Sequence, residues 1–269
     1  MFRVSHPACG TLDTVGTPLE RRNLSAYLAS MKVFLNHTRR LAPCGSTSDV
    51  KQTKEPITLE RISQTHATRR TEIRKRLAEF NRIGKRGTDL NLWEEMVFCF
   101  FTGGCSARMG LNALEAVKPI LLTGDQTELA AALSGVHRYP NARSRYVVAS
   151  RQFLREHCGM RLRKKLNGFD CHLARRDWLV TEKGIKGLGY KEASHYLRNI
   201  GYSGYAILDK HVLNCLAELK IIDDPKPPNT RAKYLMVEDR MKNLSVQTGI
   251  DFDELDLVLW SMKTDMILK

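Results

Sequence analysis

Lys183-Gly-Ile-Lys-Gly-Leu-Gly-Tyr-Lys191-Glu-Ala-Ser-His-Tyr-Leu-Arg-Asn199 reads as the end of one helix, a Gly-x-Gly turn and the start of a second helix. Gly187 and Gly189 carry no side chains, so the turn's amides can approach an anion closely. The first N–H groups of the second helix lack partners within that helix and extend the same anion site. Such a hairpin grips a phosphate backbone without reading bases. Gly187, Gly189 and Tyr190 are the candidate backbone contacts. Ile185 and Leu188 are expected to pack the turn against its own helices. A Gly-x-Gly turn is often a mere connection, so its surroundings decide what it means.

Those surroundings are helical from Thr58 onward. Ile62, Ile73, Leu77 and Phe80 fall on one stripe, with Arg69, Arg70, Arg74, Lys75, Arg76, Arg82, Lys85 and Arg86 on the opposite face. Helices are expected at 91–101, 107–122, 127–133, 142–157, 172–183, 190–200, 210–219, 230–248 and 251–262. Breaks fall at Gly103–Gly104, Gly135, Gly159, Gly187–Gly189, Gly201–Gly204 and Pro225–Pro228. β-branched alternation is nearly absent, so the expected class is all-α, with the helix–hairpin–helix at about residues 172–201 of a helical domain spanning 58–269.

Charge points the same way as the hairpin. The chain of 269 residues has 43 Lys plus Arg against 29 Asp plus Glu, a formal net charge of +14, which favours a polyanionic partner. No apolar run approaches the roughly 20 residues of a membrane helix; Met96–Phe101 and Leu129–Leu133 read as core. The seven cysteines are scattered and form no CxxC pair. They suggest free thiols in a reducing compartment, with no disulfide framework and no zinc site.

Two residues turn the hairpin from a grip into a candidate active site. Lys191 falls in the first turn of the second helix, where the positive helix end opposes a cation and favours the neutral amine that Schiff-base chemistry needs. Asp209 ends the apolar run Tyr205-Ala-Ile-Leu-Asp209, just before Lys210-His211 and a new helix. It can cap that helix while its carboxylate faces a pocket.

This constellation resembles the helix–hairpin–helix DNA glycosylases with lyase activity, and within them the type-2, archaeal-type 8-oxoguanine DNA glycosylase/lyases. The resemblance runs from about Glu94 to Lys269. It is strongest over Ile185–Tyr202 and Ala206–His211, and weaker over Phe98–Met109, His137–Ala149 and Glu254–Lys269. It implies two helical subdomains flanking a cleft for DNA and the extruded base, Lys191 as catalytic lysine and Asp209 as catalytic aspartate. It also implies a base pocket lined by Trp260 and Lys269. Tyr139 stands where the family carries a stacking aromatic, typically Phe. The α-carboxylate of Lys269 would accept the N7–H that distinguishes 8-oxoguanine from guanine. The Gly103-Gly104-Cys105 segment departs from the family pattern.

The implied partner is double-stranded DNA containing 8-oxoguanine or abasic sites, bound by a monomer, with no membrane. No cofactor or metal is implied, save a monovalent cation at the hairpin carbonyls by family analogy. Family members with iron–sulfur clusters have a four-cysteine motif that this sequence lacks. Two alternatives stay open: a non-catalytic DNA-binding module, and a glycosylase of the same fold for another damaged base. Residues 1–57 are basic, rich in Ser, Thr and Pro, and without helical period. They are expected to form a poorly ordered extension, read as a targeting peptide, a tail that helps hold DNA, or an upstream start with Met31 as the alternative first residue. The expected location is intracellular and DNA-associated: cytoplasm or nucleoid in a prokaryote, nucleus or mitochondrion in a eukaryote.

Overall fold

The computed structural model describes residues 56–267, and their regular structure is helical, with no strand among them. The first helix, α1 (Leu59–Arg86), begins where the Thr58 hydroxyl accepts the Arg61 amide at 3.2 Å. Glu60 lies in its first turn and Lys85 and Arg86 in its last, as the helix dipole favours. Ile62, Ile73 and Phe80 are buried, and Leu77 packs beside them. The opposite face is not wholly solvated: Arg74 reaches Glu254, and Arg69 donates to the Asp265 carbonyl.

A Thr88 capping box opens α2 (Asp89–Thr102), whose side chains from Leu92 to Thr102 are all buried. This central helix packs on α3 (Ala107–Val117), α5 (Pro140–Cys158), α6 (Leu162–Asn167) and α8 (Tyr190–Asn199). Between α3 and α5 come a short 3-10 turn (Lys118–Ile120) and α4 (Gln126–Leu133), started by an Asp125–Glu128 capping box. A second apolar core joins α1 to α9 (Lys210–Glu218), α10 (Arg231–Thr248) and α11 (Phe252–Thr264). The hairpin helices α7 (His172–Thr181) and α8 pair with each other, and α8 also touches α1 and α2. The hairpin is thus held between the two helical layers.

The expected helices all form; the 172–183 helix ends two residues early at Thr181, the 107–122 helix is cut short, and one helix is added. The 107–122 helix ends at Val117, because Pro119 has no amide to donate to the helix and the chain tightens into the 3-10 turn over Lys118-Pro119-Ile120. The short α6 was not foreseen. Gly159 and Met160 both take left-handed backbone, closing α5, and a six-residue helix follows too briefly to show a period. It matters to the packing, since Arg163 donates to the carbonyls of Ile83, Gly84 and Gly87 and so ties down the end of α1.

The extension expected over residues 1–57 lies outside the described residues except for Pro56 and Ile57; Ile57 is buried in the second core. Among the described residues no helix is long and apolar enough to cross a membrane. Five cysteines fall among them and all are free. Burial pushes the Cys215 thiol up to about 12, which makes it inert as a nucleophile.

Candidate active site

The hairpin lies along one face of α5. Tyr146, Ser150 and Phe153 follow one another at helical spacing. A Cβ added to Gly187 would stand 2.5 Å from the Tyr146 ring, Ser150 Oγ accepts the Lys186 amide at 2.9 Å, and Gly184 sits against the Phe153 ring. Ile185 and Leu188 are buried as expected. Gly187 also has φ +81°, a backbone that side chains disfavour. Gly189 differs. Its φ is −88°, it caps α8, and an added Cβ would meet only the Glu192 carboxylate, at 3.2 Å. Its smallness keeps the turn open but its backbone does not require glycine.

Lys191 follows directly, as the second residue of α8, with its side chain 24% exposed. The carboxylate within ion-pair distance is Glu192, 3.6 Å from Nζ, and not Asp209. Glu192 also faces Gly103, at whose carbonyl the Arg143 guanidinium donates a hydrogen bond. Arg143 in turn lies 5.6 Å from the Tyr139 ring and 5.3 Å from the Tyr146 ring. One side of the site is therefore Lys191, Glu192, Gly103, Arg143, Tyr139 and Tyr146. Tyr139 itself is 40% exposed at the start of α5.

Asp209 heads a second group. Its Oδ1 accepts the amides of His211 at 2.8 Å and Val212 at 2.9 Å, which caps α9 and leaves Oδ2 outside the cap. Trp260, half-buried on α11, meets the His211 ring edge-on at 6.5 Å. Lys269 lies outside the described residues, although the chain is still buried at Ile267.

The family model described as 8-oxoguanine DNA glycosylase matches residues 73–250, which include the whole hairpin, Lys191 and Asp209. The chain belongs to this glycosylase family. Among its relatives is an 8-oxoguanine DNA glycosylase/AP lyase of Korarchaeum cryptofilum, 40% identical over 198 residues, or 73% of this chain and 90% of that one. The Methanocaldococcus jannaschii 8-oxoguanine glycosylase/lyase, solved in complex with a 15mer DNA containing 8-oxoguanine, superposes with a TM-score of 0.72 at 30% identity. That match covers 78% of this chain and 99% of the other. The 8-oxoguanine DNA glycosylase of Thermotoga maritima gives a TM-score of 0.71 at 31% identity, over 78% of this chain and 98% of that one.

In this glycosylase-family chain the sequence singles out the lysine and the aspartate but not the side chains that the structure places around them. Glu192 had a usable signal, since it directly follows Lys191 in the first turn of the same helix. Arg143 had none, being one of many arginines. The run that ends at Asp209 is legible in the sequence, but the way it is anchored is not. The segment has no regular structure, and its amides turn to side chains instead: Gly204 to Asp253 and Ile207 to Asp256, each at 3.0 Å. Asp256 is also 2.7 Å from Arg198. Burial pushes the Asp256 carboxyl up to about 6 despite the opposing pull of Arg198.

Proposed function

We propose that this chain excises 8-oxoguanine from duplex DNA and cleaves the strand at the resulting abasic site by β-elimination. The observation that carries the reading is Lys191: a part-exposed primary amine in the first turn of a helix, just beyond the glycine turn of the hairpin. The hairpin and the basic surface hold the backbone while the base is extruded, at an unstacking cost of a few kcal/mol. Asp209, through the oxygen its cap leaves over, stabilises the cationic character that develops on the sugar as the base departs.

The Lys191 amine bonds to C1′ as the C1′–N9 bond breaks, and the base leaves with the bonding electrons and takes up a proton. Opening of the sugar ring gives an imine, which acidifies the C2′ protons. Loss of one of them expels the 3′ phosphate. An arginine could not replace Lys191, because it stays protonated and is a poor nucleophile. In this reading Tyr139, Trp260 and Lys269 are assigned to recognition of the extruded base, and Gly187, Gly189 and Tyr190 to the DNA backbone.

Borohydride reduction of the enzyme–DNA imine tests this directly. The wild-type chain is expected to trap covalently on an 8-oxoguanine duplex. Lys191→Gln is expected to bind that duplex but neither excise nor trap, and normal trapping by that variant would remove the assignment. Asp209→Asn is expected to lose most turnover with DNA affinity kept. A duplex panel with other damaged bases checks the substrate: preference for a lesion other than 8-oxoguanine would overturn that part.

A further inference from the structure

The irregular segment from Gly204 to Asp209 is held from two sides by buried ion pairs. Glu238 on α10 accepts the Ala206 amide at 3.0 Å with the same oxygen that meets Arg176 of α7 at 2.6 Å. Its other oxygen takes a second bond from Arg176 at 3.1 Å. The next amide, Ile207, goes to Asp256 on α11, paired with Arg198 of α8. Successive residues of the segment are thus each fixed by a carboxylate, and each carboxylate is balanced by an arginine from one helix of the hairpin motif.

Tyr234 closes the arrangement. Its hydroxyl donates to the Ala206 carbonyl at 2.8 Å, accepts the Leu208 amide at 3.4 Å, and lies 3.3 Å from the Ser194 hydroxyl. Ser194 sits one turn beyond Lys191 on α8, and it also accepts from Arg176 at 3.1 Å. Arg176 and Glu238 are fully buried. Two buried charges cost desolvation that apolar side chains of the same size would avoid. What they supply instead is directional: an acceptor for one amide of the Asp209 segment and a donor to the Lys191 helix, on one rigid fork.

We propose that Tyr234, together with the Arg176–Glu238 pair, is a positioning unit that sets Asp209 against the Lys191 helix. It touches neither DNA nor the reacting atoms. Leu208, bonded to Tyr234, immediately precedes Asp209, so a shift of the clamp moves the carboxylate directly. A displacement near 1 Å at such a site can cost about a hundredfold in rate. This inference rests on Asp209 acting in base removal.

The test is Tyr234→Phe, which removes the hydroxyl and keeps the ring, beside Asp209→Asn and the double variant Arg176→Met/Glu238→Leu. Single-turnover base excision by Tyr234→Phe is expected to fall roughly tenfold or more. Affinity for an uncleavable lesion duplex is expected to stay unchanged, and strand cleavage at a preformed abasic site to fall less than excision. The double variant leaves the buried Ala206 amide without its acceptor, so it is expected to fold less stably than wild type and to show the same selective loss. Wild-type excision by Tyr234→Phe overturns the proposal, as does a loss shared equally by binding, excision and strand cleavage. If the double variant fails to fold, Tyr234→Phe alone decides. If Asp209→Asn is impaired while Tyr234→Phe is not, only the clamp is refuted; if Asp209→Asn excises normally, the reading of Asp209 fails instead.

Discussion

His137 accepts the amide of Tyr139 on Nδ1 at 3.0 Å, and its Nε2 lies 2.9 Å from the Phe101 carbonyl. Those two partners allow one form of the ring: neutral, with the proton on Nε2. Burial pushes its pKa down; the Phe101 carbonyl opposes that, and the nearby Arg143 charge reinforces it. The imidazole thus links the end of α2 to the residue that opens α5, and protonation of Nδ1 would set two donors against each other.

The stability that His137 contributes should therefore depend on pH. The folded state holds the ring neutral, whereas the unfolded chain takes up a proton near pH 6.5. The contribution is complete above that pH and is lost as the pH falls below it, toward the lower folded pKa. Melting temperatures from pH 8 to about 5 should fall more steeply for wild type than for His137→Asn. Parallel slopes would refute the assignment.

The two turn glycines should behave differently. Gly187→Ala forces a methyl group toward Tyr146 and a side chain into a left-handed backbone, at a cost of roughly 1–3 kcal/mol. Gly189→Ala needs only a small movement of the Glu192 carboxylate and should leave stability close to wild type. Urea denaturation of the two variants checks this, and equal losses would count against it.

Glu254 fastens α11 to α1 through His66 at 2.5 Å and Arg74 at 2.6 Å. Burial raises its pKa, but the hydrogen bonds from His66 and Arg74 outweigh burial and hold the carboxyl below its ordinary value of 4.5. A depressed carboxylate contributes stability above the unfolded pKa and loses it as the pH falls through the folded one. Glu254→Gln should cost about 1–2 kcal/mol at neutral pH, and the gap to wild type should close in acid. A gap that stays constant down to acid unfolding would sink the idea.

The helical class and the helix–hairpin–helix were legible because they rest on local rules: apolar period, glycine breaks and caps. Asp209 caps the helix that its residue type suggested, and Thr58, where the helical pattern begins, caps the first helix. Contacts between distant residues were not legible. Arg176 and Glu238 look like ordinary surface charges in sequence, yet both are fully buried against each other. Glu192, which is the ion-pair partner of Lys191, was overshadowed by Asp209. Periodicity marks which face of a helix is apolar, but it does not say which buried charge an arginine will meet.

Tyr139 provides the most direct test of the proposed base pocket. Its ring is 40% exposed and flanked by guanidinium groups, Arg138 at 5.3 Å and Arg143 at 5.6 Å. A ring so placed can stack on an extruded base, and the cations beside it strengthen its hold on an electron-rich purine. Tyr139→Phe keeps the π-face and should excise 8-oxoguanine close to the wild-type rate. Tyr139→Leu keeps apolar bulk without the face and should lose about 1–3 kcal/mol of lesion binding. Stacking on the base has no counterpart once the base is gone, so cleavage of a preformed abasic site should be nearly unaffected in both variants. Binding to a non-cleavable lesion duplex and strand cleavage at an abasic duplex, measured side by side, separate the effects. Equal losses in the two assays would mean that Tyr139 supports the fold or the backbone grip rather than the base.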